Sequence, residues 1–126
     1  MGRDVIRPKA GADLGLPFSP AIRANGFIFC SGQLPMNMDT GEFISGDIRR
    51  ETRQIMTNLK RVLEAAGSSM EKVVKVTVFM KDLSEFNAMN EAYREFFPKD
   101  PPARSTVEVS RLAKDANLEI ELIAIE

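Results

Sequence analysis

The 126-residue sequence contains no histidine. That absence removes Ser-His-Asp and Cys-His catalysis, histidine-based metal sites and the histidine general base of many ribonucleases. Any chemistry must run on carboxylates, hydroxyls, Lys, Arg, the single tyrosine Tyr93, backbone groups and bound water. Cysteine is nearly absent as well. Cys30 stands alone, which excludes an intrachain disulfide and fits a reducing compartment. Neither sign of charge dominates: 17 basic residues face 18 acidic ones, for a formal net charge of −1. With no long basic run, the electrostatic footprint of a nucleic-acid binder is missing. No apolar run approaches the ~20 residues of a membrane span. The N-terminal "MGRDVIRPKAG" is too polar for a signal peptide, and Ile6 stands where a myristoylation motif wants Ser or Thr. The expectation is a soluble, cytoplasmic protein with neither membrane nor nucleic acid as partner.

What is present reads as one domain over residues 1–126. Residues 8–20, "PKAGADLGLPFSP", are punctuated by proline and glycine and predict an irregular loop, with Val5 and Ile6 on a short edge strand before it. "AIRANGFIFCSGQ" (21–33) predicts a hairpin turning at Asn25-Gly26. A loop with a turn at Thr40-Gly41 follows. Asp47 then stands at an N-cap position. Ile48, Thr52, Ile55, Met56, Leu59, Val62, Leu63 and Ala66 recur at helical spacing up to Gly67. Arg49, Arg50, Arg53, Lys60 and Arg61 fall on the opposite side, which reads as a solvated face rather than an anion-binding patch.

"KVVKVTVFMKD" (72–82) predicts a strand with Val74, Val76, Val78 and Met80 on one face. Ser84 is then expected to cap a second helix running to Phe97, with Phe86, Met89, Asn90, Tyr93, Phe96 and Phe97 inward. Pro98 and Pro101-Pro102 stop it. Strands at 103–109 and 118–126 complete an α+β domain: a mixed six-stranded sheet carrying two helices on one face. The other sheet face, with Thr77, Phe79, Thr106, Ile123 and Ile125, has no helix to cover it. A bare apolar face of this kind points to self-association.

Several residues can carry chemistry. Arg104 opens a strand behind two prolines, and its guanidinium matches a carboxylate bidentately. Spacing alone favours a salt bridge to a neighbouring carboxylate. Glu119 alternates with Leu118 and Ile120 and shares its side with Ile123 and Ile125. A carboxylate among apolar residues has a raised pKa, the property of a general acid or base; an exposed position near a strand end is the plainer reading. Asn90 interrupts an apolar stripe and needs hydrogen-bond partners or a pocket. Ser31-Gly32 leaves backbone N–H groups at a strand end where an anion could dock. Cys30 has no base to activate it and reads as a small core residue.

"PARSTVEVSRLAKDANLEIE" (102–121), "CSGQLPMNMDTGE" (30–42) and the helix-strand-helix at 58–97 resemble, in the same order, the motifs of the Rid family. These are the reactive intermediate deaminases, also called YjgF or endoribonuclease L-PSP proteins. The resemblance runs from about Phe18 to the C-terminus. It implies a chorismate-mutase-like fold, a homotrimer whose sheets form a central barrel, and ligand clefts between subunits. It further implies hydrolysis of 2-imino acids, formed from 2-aminoacrylate and 2-aminocrotonate, to 2-oxo acids and ammonia. No metal or organic cofactor is required for that reaction. Carried over by motif, Arg104 binds the substrate carboxylate, and Ser31, Gly32, Asn90 and Phe18 line the cleft. Glu119 orients water and shuttles its proton, with Thr106 near the reacting carbon. Two positions depart from the pattern: Thr106 replaces a frequent cysteine, and Phe18 replaces a tyrosine, which predicts altered substrate preference or rate. The resemblance also leaves open a non-catalytic, carboxylate-binding or chaperone-like trimer, and a ribonuclease or translation inhibitor.

Overall fold

The computed structural model of the chain describes residues 2–9 and 15–126. Six strands form one sheet: β1 (Asp4–Ile6), β2 (Ala21–Ala24), β3 (Phe27–Gln33), β4 (Val73–Met80), β5 (Ala103–Glu108) and β6 (Leu118–Ile125), in the order β1-β2-β3-β6-β4-β5. Only β4 and β5 run parallel. A parallel pair needs a crossover, and the segment containing helix α2 (Phe86–Arg94) supplies it. Helix α1 (Ile48–Ala65) packs on β3 and β6 and against α2. The expected α+β architecture, with two helices on one face of a mixed sheet, is present.

Local chemistry explains most element ends. Asn25 and Gly26 both take positive φ, 52° and 83°, as a two-residue turn between β2 and β3 requires. The Asp47 carboxylate accepts a hydrogen bond from the Arg49 N–H at 3.0 Å and starts α1. At its other end Gly67 has φ 79°, and the N–H groups of Gly67 and Ser68 donate to the carbonyls of Glu64 and Leu63. That is a Schellman closure, and it needs glycine at the left-handed position. Of the expected 8–20 loop, residues 10–14 lie outside the described residues.

The core lies between the helices and the sheet. Ile55, Met56, Leu59 and Leu63 of α1 meet Ile28, Val76, Val78, Ile120 and Leu122, all essentially fully buried. The arginine face of α1 is solvent-facing as expected, yet not idle. Arg49 and Arg53 pair with Glu91 and Glu95 at 2.8 Å, bracing α1 against α2, and Arg61 pairs with Asp39 at 3.1 Å.

Four details differ from expectation. A register shift between Val73 and Lys75 turns Val74 outward and buries Val73 in its place. Asp82, not Ser84, accepts the capping hydrogen bond, from the Ser84 N–H, and a 3-10 turn at Leu83–Glu85 precedes α2. Phe86 is therefore on the helix's first turn and is 37% exposed rather than inward. The helix also ends at Arg94: Glu95, Phe96 and Phe97 donate to carbonyls three residues back as the chain tightens toward Pro98.

The fourth difference concerns Thr106. It does not share the open sheet face with Thr77 and Phe79. β5 is registered so that Arg104 lies beside Val76 and Thr106 beside Val78, and both valines are core residues. Arg104 and Thr106 thus face the helices. The open face keeps Phe27, Phe29, Phe79, Val107, Ile123 and Ile125, an apolar band that none of the described elements covers. Among the described residues no helix is long and apolar enough to cross a membrane.

Candidate active site

Pro101 and Pro102 deliver the chain into β5, and Arg104 emerges under α2. Its guanidinium carbon lies 4.7 Å from the centroid of the Tyr93 ring and 5.5 Å from that of Phe86. Among the described residues Arg104 makes no salt bridge. The ion pair that spacing favoured is absent. Aromatic faces support the cation, and apart from the N–H directed at the Tyr93 oxygen its donors have no acidic partner, so the fork remains available for an anion.

Arg104 lines an open cavity of about 420 Å³ with Asn90, Tyr93, Arg94 and Phe97. Asn90 sits one turn before Tyr93 on α2, so the helix brings its amide to the same space. The Tyr93 hydroxyl is buried and makes no well-formed hydrogen bond. Burial pushes its pKa up, and the Arg104 charge and a weak hydrogen bond from its guanidinium partly oppose that. The Thr106 hydroxyl, two residues beyond Arg104, is also buried without a partner. Buried polar atoms without partners are uncommon in folded chains, and a water or ligand is one way they are satisfied.

Glu119 belongs to a second cluster. β3 carries an extra residue between Cys30 and Gln33 relative to β6, and Ser31 and Gly32 occupy that bulge. The Ser31 hydroxyl donates to the Ser19 carbonyl at 2.6 Å, and the Ser31 N–H donates to the Pro20 carbonyl at 3.0 Å. These bonds tie down the segment that carries Phe18, which is 56% exposed. Gly32 is flush with Glu119: a Cβ there would run into the carboxylate, 2.9 Å from its Cδ. Burial raises the Glu119 pKa, and the nearby Glu121 charge raises it further. Cys30, two residues before Gly32, points into the core, where burial pushes its thiol up to about 12. It is not a nucleophile at neutral pH.

The seven candidate residues therefore fall into two groups within one chain. Arg104, Thr106 and Asn90 lie on the helix side at the β5 edge. Phe18, Ser31, Gly32 and Glu119 gather around the bulge, with Glu119 beside Phe79 on the open face. Among the described residues Glu119 does not line the cavity of Arg104.

Residues 12–126 match the family model described as endoribonuclease L-PSP. The chain belongs to that family. It is the Rid, or YjgF, family whose motifs the sequence carries. A RutC family protein of Pyrococcus horikoshii is 53% identical over 108 residues, covering 86% of each chain. A 2-iminobutanoate/2-iminopropanoate deaminase of Dermatophagoides farinae is 42% identical over 123 residues, 98% of this chain and 95% of that one. The crystal structure of Escherichia coli TdcF with bound serine superposes with a TM-score of 0.91 at 36% identity, covering 98% of both chains.

Sequence reasoning missed two features of this Rid chain. The Phe86 and Tyr93 platform was visible as two aromatics seven residues apart on one helix, but they read as core. Glu51 on α1 was missed entirely. It is 2% exposed and accepts hydrogen bonds from the Asn117 amide at 3.2 and 3.4 Å, two residues ahead of Glu119. Its position between Arg50 and Thr52 gives no local sign of burial.

Proposed function

We propose that the chain is an imine deaminase that hydrolyses 2-imino acids to 2-oxo acids and ammonia. The observation that carries this reading is Arg104, an unpaired guanidinium seated on two rings at the wall of a cavity. A 2-imino acid places a carboxylate beside an electrophilic C=N carbon. Arg104 holds the carboxylate, with charged hydrogen bonds worth roughly 1.5–3 kcal/mol each. Glu119, with its raised pKa, takes a proton from water as the oxygen adds to the imine carbon. It passes that proton to the imine nitrogen to give the carbinolamine, then carries the carbinolamine's hydroxyl proton to the same nitrogen as the C–N bond breaks, so imine plus water becomes ketone plus ammonia. The deaminase name of the Dermatophagoides farinae relative and the amino acid bound to Escherichia coli TdcF support the substrate class.

Because the two clusters lie on opposite sides of the sheet, a complete site needs two chains. The apolar band of Phe27, Phe29, Phe79, Val107, Ile123 and Ile125 supplies a surface for association. A homotrimer closed through this face would seat one chain's Glu119 against the next chain's β5 edge. RNA cleavage, the activity in the family's description, is the weaker reading, since a chain of net charge −1 without histidine offers a polyanion little attraction and no imidazole base.

The test is a coupled assay in which a serine or threonine dehydratase generates the imine and semicarbazide traps it. Added protein should slow trapping and speed 2-oxo acid release, and Arg104→Ala should not. Wild-type protein without effect on either rate overturns the reading.

A further inference from the structure

The Arg104 cavity holds a second cation. Arg94 closes α2 and lines the same space, and none of the described residues that line it is acidic. The acids that flank Arg94 on its own helix are committed elsewhere: Glu91 is bound by Arg49 and Glu95 by Arg53, both at 2.8 Å on the α1 side. Among the described residues Arg94 itself has no ion pair. A basic residue in a helix's last turn is often there for the macrodipole. That accounts for the charge at position 94, but not for a cavity with two free guanidiniums, an amide from Asn90 and no counter-charge. A monocarboxylate ligand neutralises one of the two and leaves the other facing it unused.

We propose that the site selects dicarboxylic 2-imino and 2-oxo acids, with Arg104 on the carboxylate next to the reacting carbon and Arg94 on the distal one. This rests on the deaminase reading and adds the substrate class. A cavity of about 420 Å³ is within the range of small-ligand sites. Arg94 is exposed, so its contribution is screened by salt more strongly than that of Arg104.

Calorimetric titration of the full chain with 2-oxobutyrate and with 2-oxoglutarate, at low and high salt, tests this. The dicarboxylate should bind about tenfold tighter at low salt, a difference worth about 1.4 kcal/mol, and the advantage should shrink as salt rises. In Arg94→Gln the ratio of the two affinities should fall toward one, while Arg104→Gln should lose both ligands. Thermal melting checks that each variant is folded. Equal affinities in the wild type, or an advantage that survives Arg94→Gln, overturn the proposal. If 2-oxobutyrate still binds through Arg104 in that case, the deaminase reading stands without it. If neither ligand binds the wild type, both fall.

Discussion

The Arg104 guanidinium lies 4.7 Å from the centre of the Tyr93 ring, and no carboxylate among the described residues pairs with it. A buried ring thus holds a charge that an acid would ordinarily hold. The arrangement fixes the side chain and leaves most of its N–H donors free for a ligand. An acid in the same place would compete with any ligand for the fork.

Removing the ring should therefore hurt binding more than chemistry. A cation–π contact is worth about 0.5–2 kcal/mol, so Tyr93→Leu should raise KM about 2- to 30-fold with kcat changed much less. Tyr93→Phe keeps the face and removes a hydroxyl that makes no well-formed hydrogen bond, so its KM should stay within about twofold of wild type. Phe86→Leu, at a partly exposed position, gives a version of the same test with little risk to the fold. Steady-state kinetics on the three variants, with melting curves, separates a platform from a packing role.

The Arg104 story also shows which features the sequence could carry. Asn25-Gly26, Asp47 and Gly67 act through their own backbone, so hairpin and helix ends were legible from a few neighbouring letters. Val74 and Thr106 were not. The first depends on a bulge against β6, the second on the register of β5 against β4, and both are tertiary choices. The motif residues were individually legible, but their division between two sides of the sheet was not, because alternation along a strand does not say which side meets the helices. Glu51 was hidden for a similar reason: its partner Asn117 is 66 residues away.

Two-chain sites make a prediction about mixtures. Arg104→Ala and Glu119→Gln should each be inactive alone. Co-refolded in equal amounts, they should regain activity, because some sites join an intact Arg104 from one chain to an intact Glu119 from another. Random assembly into closed rings leaves about a quarter of the sites complete. Activity that stays at background in the mixture, with mixed oligomers verified by native mass spectrometry, would place both groups in one chain's site.

Gly32 should matter for catalysis and hardly at all for stability. Its backbone is outside the positive-φ region, so alanine is conformationally acceptable there. The added methyl would meet the end of the Glu119 side chain, which can swing away. Gly32→Ala is expected to leave Tm within about 2 °C and to lower kcat/KM about 10- to 100-fold by misplacing the base. A variant as active as wild type would separate Glu119 from the chemistry.

The pH profile should report Glu119. As a base it acts ionised, and its pKa is raised above the ordinary 4.5 by burial and by Glu121. The rate should therefore fall as pH drops through that raised value, giving an acid limb above the usual carboxylate range. Glu121→Gln removes one cause of the shift and should move the limb toward lower pH. Glu119→Gln should abolish most activity and flatten what remains. A limb that ignores Glu121→Gln would assign the titration to another group.

Glu51 should report on stability instead. Burial raises its pKa, and the charges of Glu85 and Asp47 add to this, while hydrogen bonds from the Asn117 amide and the Asp47 backbone N–H pull it down. The folded state therefore binds a proton more tightly than the unfolded chain does. For such a group stability is greatest below the unfolded pKa and declines as pH rises through the folded one. At neutral pH the carboxylate is a net burden on the fold. Glu51→Gln keeps an oxygen for Asn117 and carries no charge to desolvate, so it should raise Tm at pH 7 by roughly 4 °C, the scale of about 1 kcal/mol in a chain this size. The gain should shrink toward pH 4, where the wild-type acid is itself protonated. Melting curves of both proteins across that range decide it: a variant less stable than wild type at pH 7 would mean that the ionised Glu51–Asn117 contact holds the start of β6 in place.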